Sequence, residues 1–79
     1  VKVRVEVFLK PGVLDVQGKA IEAALHGLGW TDVSDVRVGR IIAFDTDAAD
    51  VATAEAEARA MADRLLANQV IESYRVEVS

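Results

Sequence analysis

Cysteine is absent from this 79-residue chain, and proline, histidine, methionine, tryptophan and tyrosine occur once each. No disulfide can staple the fold, and no thiolate zinc site can be built. A single histidine excludes a histidine-rich metal site. No apolar run approaches the roughly 18 to 20 residues that a membrane span requires. No basic-then-apolar segment opens the chain, so no secretory signal is read and a cytoplasmic setting is expected. Basic charge is also scarce. Nine Lys and Arg against thirteen Asp and Glu leave a formal net charge of −4. An acidic domain repels phosphate backbones, which argues against general nucleic-acid binding.

What is present is apolar. Hydrophobic residues make up 52% of the chain, too many for a disordered segment. The length suits one domain over residues 1–79. Small domains bury a smaller fraction of their surface, so a core of this size is marginal by itself. With disulfides and metals excluded, self-association is the remaining staple, and it is expected here.

Val1, Val3, Val5 and Val7 alternate with Lys2, Arg4, Glu6 and Phe8. Period-two alternation rich in β-branched residues predicts a half-buried strand. Lys10-Pro11-Gly12 predicts a turn, since proline presets φ and glycine accepts positive φ. Asp15 is the expected N-cap of a first helix, with Ile21, Ala24, Leu25 and Leu28 as its apolar stripe and Gly29 as its stop. Val36 and Val38, followed by Gly39 and the run Ile41 to Phe44, predict a hairpin turning at Val38-Gly39-Arg40 (alternatively, one long strand bulged at Gly39). A second helix starts near Asp47 or Asp50, carries Val51, Ala54, Ala58, Met61, Ala62 and Leu65 on one face, and stops at Asn68. Tyr74, Val76 and Val78 mark a last strand. The order β-α-β-β-α-β implies an α+β fold. It reads as a ferredoxin-like two-layer sandwich, a four-stranded mainly antiparallel sheet with two helices on one face.

One strand reads as apolar on both sides. Ile41 and Ala43 point one way, and Ile42 and Phe44 the other. Phe8 also sits on the polar side of its strand. Phe8, Ile41 and Ala43 therefore form a candidate dimer face, covered most simply by a second copy of the chain.

No constellation for catalysis is evident. His26 follows Glu22 by one helical turn, as a base oriented by a carboxylate would, but no motif places a nucleophile. Asp45, Asp47 and Asp50 cluster, yet a calcium loop counted from Asp45 needs glycine where Asp50 stands and an acid where Ala56 stands. Acids at a helix start have an ordinary explanation in the macrodipole. Arg37, Gly39 and Arg40 place two cations beside a turn, able to grip a phosphate or a partner carboxylate, or else to lie solvated at a hairpin tip. Gly18 falls in the first helical turn, where it costs about 0.5–1 kcal/mol relative to alanine, and is read either as a site of close approach or as a tolerated cost. Trp30 and Tyr74 are read as core or interface anchors.

Three stretches carry a family resemblance: Val13-Leu14-Asp15-Val16-Gln17-Gly18-Lys19-Ala20, Asp35-Val36-Arg37-Val38-Gly39-Arg40, and Leu65-Leu66-Ala67-Asn68-Gln69-Val70-Ile71-Glu72-Ser73-Tyr74. In order and spacing they resemble the PurS family, the small subunit of bacterial and archaeal phosphoribosylformylglycinamidine synthase. Val16 and Gln69 stand where the family commonly has proline, and Arg40 where it often has lysine. The resemblance implies a non-catalytic subunit, dimeric or tetrameric, that bridges a synthetase subunit (PurL) and a glutaminase subunit (PurQ) in purine biosynthesis. ATP and Mg are then expected at the synthetase subunit, and no cofactor in this chain. Asp15, Gln17, Gly18, Arg37, Gly39, Arg40 and Asn68 are the expected partner-interface residues. The competing reading is a ferredoxin-like module that binds a small regulatory ligand. A small acyl-phosphate or nucleic-acid processing enzyme is disfavoured by the acidic charge and the missing reactive set.

Overall fold

The central strand is the one with the cleanest alternation. In the computed structural model, which describes residues 1–79, β1 (Lys2–Leu9) lies between β2 (Gly39–Asp45) and β3 (Glu72–Val78), antiparallel to both. Val3, Val5 and Val7 are essentially fully buried. Val5 stands opposite Ile42 on one side and Val76 on the other, so one sheet face is apolar from edge to edge. Helix α2 (Val51–Met61) covers this face over β1 and β3. Its contact stripe is Ala54 and Ala58, continued by Ala62. Alanine at every fourth position lets the helix backbone approach the valines closely. β2, α2 and β3 thus form a split β-α-β unit around β1.

The helix ends follow their sequence signals. Asp50 caps α2 by accepting from the Thr53 amide at 2.7 Å. Helix α1 (Val16–Gly27) starts at the Asp15 cap. It ends in a Schellman arrangement, with Trp30 N–H donating to Leu25 O and Gly29 N–H to His26 O while Gly29 takes φ 106°. Lys10 to Val13 form a β-turn with Pro11 second and Gly12 third at φ 91°, closed by Val13 N–H to Lys10 O at 3.1 Å. A π-helical turn, Ala62–Leu66, follows α2, with the Ala67 amide reaching back to Ala62 O. It brings Ala62 and Ala67 onto the core and leaves Leu65 83% exposed. Val51 and Met61, expected on the buried stripe, are also exposed.

Three expectations about the architecture fail. The sheet has three strands, not four, and no hairpin turns at Val38-Gly39-Arg40. Residues 33–38 instead run as an extended strap along α1. Asp35 takes φ 54°, which breaks the alternation that a strand requires. The backbone groups of the strap are met by helix side chains rather than by a neighbouring strand. The expected pair of helices on one face is also absent. Helix α1 makes almost no contact with the sheet and stands beyond its end. Only Gly18 of α1 is buried.

Candidate functional site

Asp15 is the hinge of the region the sequence singled out. Its carboxylate is buried and accepts from two amides, Gly18 N–H at 2.8 Å and Val38 N–H at 2.7 Å. One side chain therefore caps α1 and pins the far end of the strap. These two amides, with a smaller contribution from the Arg37 guanidinium 4.0 Å away, hold the Asp15 carboxyl below its ordinary range despite its burial.

Further along α1, Glu22 Oε1 accepts from the Val36 amide at 3.2 Å, and His26 Nε2 donates to the Val33 carbonyl at 2.6 Å. The Val36 amide is the main reason the Glu22 carboxyl lies below its ordinary range. Positions 15, 18, 22 and 26 thus meet positions 38, 36, 36 and 33, so the strap runs antiparallel to the helix. Gly18 admits it. A Cβ at Gly18 would collide with the Val36 carbonyl oxygen and sit 2.8 Å from Asp15 Oδ2. The close approach that Gly18 permits is to its own chain. Glu22 and His26 share a helix face as expected, but both are occupied in holding the strap.

The two arginines do different work. Arg37 Nη2 donates to the carbonyls of Leu9, Lys10 and Val13 at 3.3–3.4 Å. It ties the strap to the β1–α1 turn and is not an exposed hairpin anchor. Arg40 reaches across the sheet end to Glu72, bonding Oε2 at 2.5 Å and Oε1 at 3.1 Å, and donates to the Leu66 carbonyl at 2.6 Å. Glu72 Oε1 also accepts from the Asn68 amide at 2.7 Å. The bidentate pair lowers the Glu72 carboxyl from its ordinary range and raises Arg40. Asn68 Oδ1 accepts from Val70 N–H and shapes the turn into β3. Half of the Arg40 side chain remains exposed.

The seven expected interface residues therefore divide. Gln17, Gly39 and Arg40 line one cleft of about 210 Å³ with Val7, Leu9, Val38 and Glu72. Asp15, Gly18 and Arg37 build the loop behind it, and Asn68 supports Glu72. Sequence reasoning missed Glu72 as the partner of Arg40. The available signal was its place at the start of the last strand, since strands on either side of β1 bring their ends together.

Phe8, Ile41 and Ala43 lie together on the sheet face opposite α2, since Phe8 stands opposite Gly39, Glu6 opposite Ile41 and Arg4 opposite Ala43. Phe8 is 42% and Ile41 54% exposed. The Phe8 ring lies over Gly39, where a Cβ would come within 2.5 Å of it. Arg75 bridges Glu6 and Glu77, and Arg4 bonds Glu77, so charges frame this apolar strip. Trp30 is 56% exposed, which removes it from the core. Tyr74 is half-buried and donates to Asp63 Oδ1 at 2.9 Å, a bond that raises its pKa. Asp45, Asp47 and Asp50 do not converge, and no group of three or more His, Asp or Glu side chains could hold a metal ion. No helix is long and apolar enough to cross a membrane.

The arrangement contains surfaces and braces. Its family is decided by comparison with known proteins. The model of the family described as "PurS: Phosphoribosylformylglycinamidine (FGAM) synthase" matches residues 2–79. The chain belongs to the PurS family. The phosphoribosylformylglycinamidine synthase subunit PurS of Synechocystis is 45% identical over 76 residues, covering 96% of this chain and 76% of that one. The crystal structure of Methanocaldococcus jannaschii PurS superposes with a TM-score of 0.89 at 33% identity, over 99% of this chain and 94% of that one. That protein is described as one of the subunits of formylglycinamide ribonucleotide amidotransferase in the purine biosynthetic pathway. A chain in the structure of PurLQS from Thermotoga maritima superposes with a TM-score of 0.87 at 28% identity, over 96% of this chain and 93% of that one. Membership in this family sets the small-ligand regulatory module aside.

Proposed function

We propose that this PurS-family chain is the non-catalytic bridging subunit of a phosphoribosylformylglycinamidine synthase, joining a PurL-type synthetase to a PurQ-type glutaminase. The observation that carries the reading is how the side chains are used. Four of the polar groups with shifted pKa values, Asp15, Glu22, Arg40 and Glu72, each hold a loop or a strand end of the same chain. Many large apolar side chains, among them Phe8, Leu14, Leu28, Trp30, Ile41, Leu65 and Val70, are exposed. Such a molecule is built to be docked on.

In this reading residues 1–79 act as one unit in the cytoplasm. ATP and Mg bind at the synthetase subunit, and ammonia released by the glutaminase passes within the assembled complex. Arg40, Gln17 and Gly39 present a cleft to a partner subunit, while Asp15, Gly18, Arg37 and Asn68 fix its shape. Phe8, Ile41 and Ala43 pair two copies through the open sheet face. The ferredoxin-like character resides in the split β-α-β unit.

Sedimentation of the chain mixed with its synthetase and glutaminase tests the assembly. A complex containing all three chains is expected. Three independently sedimenting species would contradict the reading.

A further inference from the structure

The sheet ends on one side at β3, which pairs with β1 alone. Lys2 and Ser79 exchange both of their backbone hydrogen bonds, at 3.2 and 2.9 Å. This fixes the phase of the ladder, because bonded and non-bonded pairs alternate along antiparallel strands. Ser73, Arg75 and Glu77 share the phase of Ser79 and bond to β1. Tyr74, Val76 and Val78 stand between them, so their backbone N–H and C=O groups point away from the sheet. No turn, loop or cap of the chain takes these groups up. β3 runs seven residues, Glu72–Val78, without proline or glycine. Such an edge is a template for another strand, and charged side chains are its usual guard.

Here the guard is complementary to itself. Arg75 and Glu77 flank Val76 and share the open sheet face, where their side chains are 70% and 43% exposed. An antiparallel copy of β3 centred on Val76 sets Val76 opposite its own equivalent, Arg75 opposite Glu77, and Tyr74 opposite Val78. The bonded positions of that register are Tyr74, Val76 and Val78, the same three whose backbone groups point outward. Each Arg75 then faces a Glu77 directly across the new pair, an arrangement that favours this partner and this register. The other edge strand, β2, lacks the property. Its only charges, Arg40 and Asp45, lie five positions apart and so on opposite faces, and no twofold register of β2 on itself can pair them.

We propose that β3 pairs with β3 of a second copy, antiparallel about a twofold axis through Val76, joining two sheets into one continuous sheet. The axis is perpendicular to the sheet, so the two α2 helices lie on the same side of it. Self-complementarity of the edge favours a second copy over a foreign strand as the occupant. The contact uses an edge and not a face. It leaves Phe8, Ile41 and Ala43 open and is independent of the pairing proposed for them.

Amide hydrogen exchange followed by NMR reads the edge in the unaltered chain. At about 100 μM the Tyr74, Val76 and Val78 amides are expected to be as protected as those of Arg75 and Glu77. Arg75→Glu and Glu77→Arg each set like charges opposite one another in a pair of identical chains. Each variant alone loses this protection and associates about tenfold or more weakly by sedimentation, with circular dichroism unchanged. Mixed, the two variants are complementary, and both protection and association return. A mixture no tighter than either variant alone overturns the proposal. So do Tyr74, Val76 and Val78 amides that exchange freely in a chain that self-associates, which leaves the open-face pairing standing. Protection of those amides only on addition of the synthetase or glutaminase assigns the edge to a foreign strand and equally overturns it. A chain that is monomeric throughout overturns both pairings.

Discussion

The two helices of this chain are held by opposite means. Helix α2 and its π-helical turn sit on the sheet through Ala54, Ala58 and Ala62 against Val3, Val5 and Val7. Helix α1 and the strap are held to each other by Asp15, Glu22 and His26, with almost no apolar packing against the sheet. The first region is a core and should unfold as one unit. The second is a brace, and its polar bonds should open locally at lower free energy. A subunit that docks on others benefits from such a division, because the brace presents surface without weakening the core.

The comparison can be broken in several ways. The largest expected effect is in the core. Val5→Ala should destabilise the whole chain by about 2 kcal/mol, read as a lower urea midpoint with an unchanged slope. Glu72→Ala strips Arg40 and the Asn68 amide of their acceptor at the exposed sheet end, and should cost about 1 kcal/mol in the same assay. Gly18→Ala pushes the Val36 carbonyl away. The Val36 and Val38 amides should then exchange with solvent about tenfold faster while the Val5 amide is unaffected. Equal acceleration at Val5 would show that the two regions are one. The smallest effect is set by pH. Asp15 and Glu22 have folded-state pKa values below their ordinary 3.8 and 4.5. The stabilisation they give the strap is complete above those values and is lost as pH falls through the depressed ones. Protection of Val36 and Val38 should decline below about pH 4.5, ahead of any change in the core.

Local signals were legible in the sequence. The valine alternation of β1, the Asp15 and Asp50 caps, the Pro11-Gly12 turn and the Gly29 stop all depend on residues within a few positions of one another. The strap was not. Val33, Val36 and Val38 carry the composition of a strand, and only side chains that lie 7 to 23 positions away satisfy their backbone groups instead. Arg37 and Arg40 looked alike as neighbouring cations. Their difference comes from what the fold sets beside each, three loop carbonyls for one and Glu72 for the other. Nothing local states where α1 docks, so the reading as a two-helix layer failed there. The apolar strip of Phe8, Ile41 and Ala43 was legible because the period of a strand fixes which residues share a face.

Glutamine-dependent turnover of the reconstituted synthase tests the central claim most directly. The synthetase and glutaminase together, without this chain, should show little glutamine-dependent amidine formation. Adding the chain should restore it, while the chain alone shows no synthetase or glutaminase activity. Full glutamine-dependent turnover in its absence would contradict a bridging role.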